Sequence, residues 1–492
     1  MLGLRRFRST AIRCGHEAYH RSLGTPDPAR VQNVAMTPQP RRVVLVTNGL
    51  TQAGAETQLM RLAAVLRHHG DEVGLLSILP TEAFTDELAA LDIPVAHLRV
   101  RSPMRGPSAI QAATQVLRSW RPDIVISFVY QANVLGRLAG RLAGVPVVIS
   151  SVRNEWFGGR ARELVMRGTD RLSTITTTNS HVAAERLIER RVVPRHRLVV
   201  IPNGVDLAPF QHAGAARVAT RAELGIADGQ FVWLAAGRLE AQKDYPTLLA
   251  ALAALAGLPA ALPALPALPG LPALPAGSAL SALSALSAPA APSAPSAGAR
   301  SAGSGLDHCL LIAGKGRLRH ELEAAAAELG LGPRVRFLGV RSDIPELIAA
   351  SDAVVLSSRF EGLPNVVMEA MAGARPVVAT RVGGAPELVE DGVSGILVHP
   401  GDPDALASAM QQVMAAPELQ RHAMGGRGQS IVSERFGLAA MGESWLRLLE
   451  RFPSRPSDSP HDRGRSPLTA NVAGAVPVDS IEGPQSAPRQ PG

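Results

Sequence analysis

Short runs of apolar, β-branched residues alternate with segments of helical periodicity along most of this chain, and they do so in two series. Residues 43–47 form the first run, followed by a turn-rich stretch from Gly49 to Gly54. Leu59, Leu62, Ala63 and Leu66 then recur at helical spacing, with Arg61, Arg67 and His68 between them. The same succession predicts strands over 72–78, 93–98, 123–128 and 145–150, with helices over 81–90, 108–119 and 133–143. A second series predicts strands over 231–236, 309–313, 335–338, 353–357 and 376–380, with a helix over 245–256. Short strands separated by helices require parallel sheets covered on both faces. The fold class is therefore α/β, with two doubly wound, Rossmann-like halves. Ligands of such sheets bind at the carboxyl ends of the strands, in the loops after residues 47, 128, 150, 236, 313, 338 and 357.

Residues 257–305 break the pattern. Leu-Pro recurs every third position from Leu262-Pro263 to Leu274-Pro275, and Arg300 is the only charged residue of the stretch. Proline at that spacing forbids helix and central strand, so a long low-complexity, disordered insert is expected in the second half. It falls between a helix and the next strand. Loop-closure cost grows by only ~0.6 kcal/mol per doubling, so the sheet tolerates it. A terminal helix is expected over 437–452, with Met441, Trp445, Leu448 and Leu449 on one face. The expected organisation is a disordered basic leader (1–40), a first Rossmann-like domain (41–203), a second (204–436), the terminal helix, and a disordered Ser/Pro/Arg-rich tail (453–492).

The formal charge of +8 is concentrated at the start: residues 1–42 hold eight arginines against Glu17 and Asp27. The tail balances four arginines with four acids, so the folded part is nearly neutral. That lacks the electrostatic footprint of nucleic-acid binding, and aromatics at 3% are too few for a stacking platform. Cys14 and Cys309 have no metal-ligand spacing around them, and two cysteines make no disulfide framework. A reducing, cytoplasmic setting follows by default. No apolar run is long enough to cross a bilayer. The arginine-rich start has the composition of a transit peptide or of a plain leader ahead of an internal Met36.

Chemistry is densest in Ser357-Ser358-Arg359-Phe360-Glu361-Gly362-Leu363-Pro364-Asn365-Val366-Val367-Met368-Glu369-Ala370. A strand ends at Ser357, a loop carries Glu361, and Pro364 suits the start of a helix. The amides at that start would face an anion at the sheet edge. Glu361 in the loop and Glu369 on the helix can bracket a ligand bearing vicinal hydroxyls, which carboxylates accept in pairs. A second clue is compositional: the chain has 48 Arg and only two Lys, Lys243 and Lys315, each in a loop after a strand of the second half. Such retention suggests a need for compact point charges. Arg238 with Lys243 would form a cationic clamp for a diphosphate; Lys315 reads equally well as a turn residue.

These motifs resemble the glycogen-synthase-like superfamily of retaining glycosyltransferases, specifically the family 4 group with its GT-B fold of two facing domains. In family order come Ile201-Pro202-Asn203-Gly204-Val205-Asp206, Gly237-Arg238-Leu239 with Lys243-Asp244, and Gly314-Lys315-Gly316. Phe337-Leu338-Gly339, the Glu361/Glu369 pair, Pro376-Val377-Val378-Ala379-Thr380 and Gly383-Gly384 follow. The resemblance implies a nucleotide-sugar donor, UDP- or GDP-linked, and a glycan or lipid-linked acceptor of cell-surface or exopolysaccharide synthesis. It implies that Glu369 holds the donor ribose, that Arg238 and Lys243 bind the diphosphate, and that Glu361 lies against the donor sugar. Asn203, Gly314 and Lys315 fall in donor-side motifs. The backbone of Gly362, Leu363, Pro364 and Asn365 would support sugar and phosphate, and Val340 and Arg341 would border the base. Gly54-Ala55-Glu56 matches the glycine loop that approaches the diphosphate, with Ala53 in place of its first glycine. Many relatives carry a histidine near the transferred sugar; here Ser127 and Ser151-Val152-Arg153-Asn154 occupy those strand ends, so Arg153 and Asn154 are placed on the acceptor or sugar side.

The implied reaction is same-face substitution in which fixed cations meet the charge that develops on the diphosphate. Arg238 and Lys243 take the place of a metal, so no metal cofactor is expected. Asp402-Pro403-Asp404 matches a metal-binding pattern of other transferases but opens a helix, which suits capping. A nicotinamide dehydrogenase is disfavoured because no Gly-x-Gly-x-x-Gly follows the first strand. A sugar-nucleotide epimerase of the same architecture, or a non-catalytic subunit, is separable by a product assay. A lipid-linked acceptor and the basic leader together suggest peripheral membrane contact.

Overall fold

The computed structural model describes residues 40–51, 53–81, 83–98, 106–154, 157–258, 307–452 and 468. The leader, the insert beyond Leu258 and the tail apart from Leu468 lie outside the described residues, and with them the expectations made for those segments.

Two parallel sheets organise the rest. The first has strands β1 (Arg42–Thr47), β2 (Glu72–Ser77), β3 (Val95–His97), β4 (Ile124–Phe128), β5 (Val147–Val152), β6 (Ile175–Thr178) and β7 (Leu198–Val200), in the order β3-β2-β1-β4-β5-β6-β7. The second has β8 (Phe231–Ala236), β9 (His308–Ala313), β10 (Val335–Gly339), β11 (Ala353–Leu356), β12 (Val377–Thr380) and β13 (Gly395–Val398), in the order β10-β9-β8-β11-β12-β13. Every described strand pair is parallel, from Val43 beside Val73 to Val378 beside Ile396. The two doubly wound halves anticipated from the strand–helix alternation are both present.

Both faces of each sheet are covered, which is why the strands read as near-continuous apolar runs. In the first half Val43, Leu45 and Ile126 pack to one side and Val44, Val46 and Val125 to the other. In the second, Trp233 and Leu310 face one core while Val232 and Leu311 face the other.

Four departures from expectation have local causes. Ile175–Thr178 is a strand despite three threonines: Thr176 Oγ1 donates to the buried Asp170 at 2.8 Å, and Thr177 Oγ1 to Ser151 Oγ at 3.0 Å. β7 and β13 are edge strands of three and four residues, too short to show a period. The helix expected over 81–90 covers only Thr85–Ala90. Arg41 and Arg42, counted with the basic leader, are buried in the body: Arg41 pairs with Asp71 at 2.8 Å and Arg42 with Glu72 at 2.7 Å.

The chain joins the halves twice. Outbound it passes through Asn203–Val205; inbound it returns at Phe436–Leu438. The two passes hydrogen-bond to each other, Val205 N to Phe436 O and Leu438 N to Val205 O, both at 2.9 Å. The final helix, Leu438–Glu450, then buries Met441, Trp445, Leu448 and Leu449 in the core of the first half, with Trp445 stacked 6.3 Å from Phe128.

Candidate functional site

Each sheet reverses its strand order once, between β1 and β4 and between β8 and β11. Loops leaving neighbouring strands diverge there, so ligand space opens at the carboxyl edge. The loops after β8 and β11 carry the residues singled out by type and spacing.

Lys243 and Glu361 form the centre. Lys243 Nζ lies 2.5 Å from Glu361 Oε1, and Ser358 Oγ donates to the same oxygen at 2.7 Å. Gln242 Nε2 donates to Phe360 O at 3.0 Å and reaches Glu361 Oε2 at 3.4 Å. Backbone contacts fix both loops: Arg359 N donates to Gln242 O, and Ser357 Oγ to Lys243 O, each at 2.8 Å. Glu361 is buried, and its oxygens are occupied by the three donors. Glu369 lies on the helix Asn365–Ala372 and is half-buried. Its carboxyl is pushed above the usual range by burial, against the attraction of Arg61 and Lys243.

Arg238 takes a different place. It is exposed at the lip of the β8 loop, with Nη2 on Gln242 Oε1 at 3.2 Å. Its charge bears on Glu56 of the first half, whose carboxyl burial otherwise raises. The structure thus joins Lys243 directly to Glu361, with its charge also bearing on Glu369, and leaves Arg238 reaching across the gap. The glycines beside it are required by close approach. A Cβ on Gly314 would come within 2.0 Å of Gly237 O, and one on Gly316 within 2.3 Å of Leu239 O. Lys315 is exposed; its carbonyl accepts from Leu239 N at 3.0 Å and so shapes the Arg238 loop through backbone alone. Val340 is exposed, while Arg341 is engaged by Asp343 at 2.5 Å and Glu223 at 3.4 Å.

The first half meets this edge through polar contacts that sequence did not reveal. Asn365 Nδ2 donates to Gly54 O at 3.0 Å, and Gln58 holds Gly204 through both ends of its amide, each at 2.9 Å. Asn203 donates to Asn365 Oδ1 at 2.7 Å and Leu363 O at 3.0 Å, while its oxygen accepts from Arg153 at 2.9 Å and Asn179 at 3.4 Å. Its amide is thereby fully taken up within the protein, and Asn203 fastens the halves. Arg61 donates to Gly204 O at 2.5 Å with Glu369 and Asp206 nearby in charge, another residue passed over because its role depends on long-range contact. Glu387 Oε1 and Oε2 accept from the backbone of Val182 and His181 across the same gap. Gly362 has the backbone oxygen of Arg153 where a Cβ would sit, at 2.2 Å, and Leu363 and Pro364 are buried beside it. Asn154 is half-buried next to Arg153. Ser127 is buried, its hydroxyl on Ile149 O at 3.3 Å. Asp402 caps the helix Pro403–Ala415 by accepting from Ala405 N at 2.9 Å.

Comparison with known proteins fits this arrangement. The family model described as glycosyl transferase 4-like domain matches residues 53–204, and that described as glycosyl transferases group 1 matches 299–416. Together they span more than half of the chain. The chain is 26% identical over 341 residues to the Escherichia coli UDP-Gal:alpha-D-GlcNAc-diphosphoundecaprenol alpha-1,3-galactosyltransferase, covering 68% of this chain and 76% of that protein. It is 36% identical over 144 residues to the lipopolysaccharide core biosynthesis glycosyltransferase LpsE of Rhizobium meliloti, a match of 29% of this chain and 42% of that protein. Among solved structures, Anabaena HepE in complex with UDP-glucose superposes with a TM-score of 0.64 at 22% identity, over 84% of this chain and 100% of that one. Fold, ordered motifs and both matched regions agree: the chain belongs to the family 4 glycosyltransferases of the GT-B superfamily.

Proposed function

We propose that this protein is a retaining glycosyltransferase that moves a sugar from a UDP- or GDP-sugar to a glycan or lipid-linked acceptor, with no metal in the reaction. The observation that carries the reading is the Lys243–Glu361 pair at 2.5 Å, set beside Glu369 on the edge that faces the Gly54 loop. Departure of the nucleotide builds negative charge on the diphosphate. Lys243 keeps two of its three ammonium donors for that charge after meeting Glu361, and exposed Arg238 supplies a second cation from the lip. Fixed cations are most effective where charge develops in the transition state. The amides at the start of the Asn365–Ala372 helix add to them.

Same-face substitution is favoured by the state of Glu361. Its carboxylate already accepts from Lys243, Ser358 and Gln242, which leaves it poorly placed to attack a sugar carbon. It serves as a hydrogen-bonding wall for the sugar, and the leaving phosphate takes the acceptor proton. Glu369 accepts the ribose hydroxyls in its ionised form. The lipid-linked acceptor is supported by the E. coli relative, named for a diphosphoundecaprenol-linked substrate, and UDP by the ligand of Anabaena HepE. Among the described residues no helix is long and apolar enough to cross a membrane, so contact with an anionic surface would fall to the arginines ahead of Arg41. Truncation to Met36 should then lower sedimentation with anionic liposomes; equal sedimentation discards that contact.

A screen of UDP-, GDP- and ADP-sugars tests the donor. A ligand that binds only the native state raises the melting temperature by mass action. One base should stand out with a shift that grows with concentration, and metal chelation should leave it unchanged. No shift with any of them contradicts the reading. Free nucleotide with an altered sugar and no acceptor product would reassign the protein as an epimerase.

A further inference from the structure

Arg137 and Arg153 are both buried in the first half, and their surroundings differ in kind. Arg137 is fully provided for. Its nitrogens donate to Ser150 and Ser173 hydroxyls at 2.8 Å, to Met166 O at 2.9 Å and to Thr169 Oγ1 at 3.0 Å, and Asp170 supplies the counter-charge at 3.2 Å. Arg153 is 9% exposed and makes one side-chain hydrogen bond, from Nη1 to Asn203 Oδ1 at 2.9 Å. Its Nε and Nη2 are buried without any partner. Among the described residues no carboxylate bears on it, and burial pushes its pKa down to about 9. The face of Phe128, 4.3 Å from the guanidinium carbon, offsets part of the charge and supplies no hydrogen-bond acceptor.

A buried, unpaired cation is costly, and native structures keep such groups for a reason. Here the unsatisfied atoms share one edge of the guanidinium. Nε–H and Nη2–H point the same way and match two oxygens of one carboxylate or phosphate. The location also matters. Arg153 follows β5 at the carboxyl edge, and its backbone oxygen abuts Gly362, next to the Glu361 assigned to the donor sugar.

We propose that Arg153 is a receptor for an oxyanion carried by the substrate beside the transferred sugar, so that this enzyme acts on an acidic substrate. The oxyanion is a carboxylate or phosphate oxygen, and it has two sources: an acidic donor sugar such as a uronate, or an acceptor bearing phosphate. This rests on the transferase reading above. Arg153 is then the residue that distinguishes acidic from neutral substrates, and the substrate completes a charge pair that the fold leaves open.

The test uses the full chain and titration calorimetry. UDP is titrated first. UDP-glucuronic acid is then compared with UDP-glucose, and farnesyl diphosphate with farnesol in the presence of saturating UDP. We expect at least a tenfold preference for the acidic member of one pair, lost in Arg153→Met, with UDP affinity unchanged. Preference within the first pair assigns the anion to the donor, and within the second to the acceptor. UDP binding with no acidic preference in either pair, or a preference that survives Arg153→Met, overturns the proposal and leaves the transferase reading standing. Failure of every nucleotide to bind overturns both. A melt without ligand confirms that Arg153→Met is folded; because the change also removes the hydrogen bond to Asn203 Oδ1, the loss of acidic preference at unchanged UDP affinity is the readout that a purely structural role would not give. Should Arg153→Met not fold, the wild-type preference still decides, and Arg153→Lys should retain part of it.

Discussion

The carboxyl edges of the two sheets are built on opposite plans. In the second half, charge is matched before any ligand arrives: Lys243 meets Glu361, and Ser358 and Gln242 complete the carboxylate's shell. In the first half, the edge is lined by serine, threonine and asparagine, and among the described residues the buried Arg153 has two nitrogens with no partner. The first arrangement preorganises a site for a ligand of fixed chemistry, such as a diphosphate. The second, on the proposal made for Arg153, leaves a charge for the substrate to match. On the proposed reading, the edge of the second half should be rigid in its demands, and the edge of the first half should carry the selectivity.

The contrast between a paired and an unpaired buried arginine can be broken by removing a counter-charge. Asp170 accepts from Arg137 at 3.2 Å, Arg197 at 2.6 Å and Thr176 at 2.8 Å, and is almost wholly buried. Asp170→Ala should cost about 3–5 kcal/mol, because it strands a buried guanidinium. Chemical denaturation measures this directly. A loss below about 1 kcal/mol would show that buried arginines in this half need no carboxylate, and the special status given to Arg153 would fall with it.

A smaller effect sharpens the donor side. Glu369→Gln should raise the KM for the donor, by about 1.5–3 kcal/mol for hydrogen bonds to a charged acceptor, and leave kcat nearly unchanged. Its pH dependence has a definite sign. Burial raises the Glu369 carboxyl, so the native state holds that proton more tightly than the unfolded chain. Its contribution to stability is therefore largest at low pH and declines as pH rises through the folded value. Donor binding runs the other way, since ribose hydroxyls require the carboxylate. Donor KM should rise on acidification at a pH above that of an ordinary glutamate, and Glu369→Gln should lack this limb. An unchanged acid limb in the variant would remove Glu369 from the ribose.

How much of this was legible in the sequence depended on range. Strand 231–236 could be bounded to the residue because both its faces are apolar. Glu361, Lys243 and Glu369 could be found because their spacing and the near-absence of lysine are local facts. β6 escaped because Thr176 and Thr177 meet their partners, Asp170 and Ser151, only through the fold. Gln58, Arg61 and the side chain of Asn365 escaped because their roles are long-range: Gln58 and Asn203 are side chains without chemistry until Gly204 and Asn365 are brought beside them. The amide of Asn203 could be noticed in its motif, but not that the fold would use all of it.

The central claim is that the cations of the β8 loop stabilise a diphosphate as its bond to the sugar breaks. The most direct measurement is donor turnover by Lys243→Ala and Arg238→Ala, with the nucleotide-sugar found in the donor screen and a melt confirming that each variant is folded. The account predicts losses of about 2–4 kcal/mol in transition-state stabilisation, by analogy with removal of an oxyanion donor, appearing in kcat more than in KM. Folded variants that turn over near the wild-type rate would contradict it.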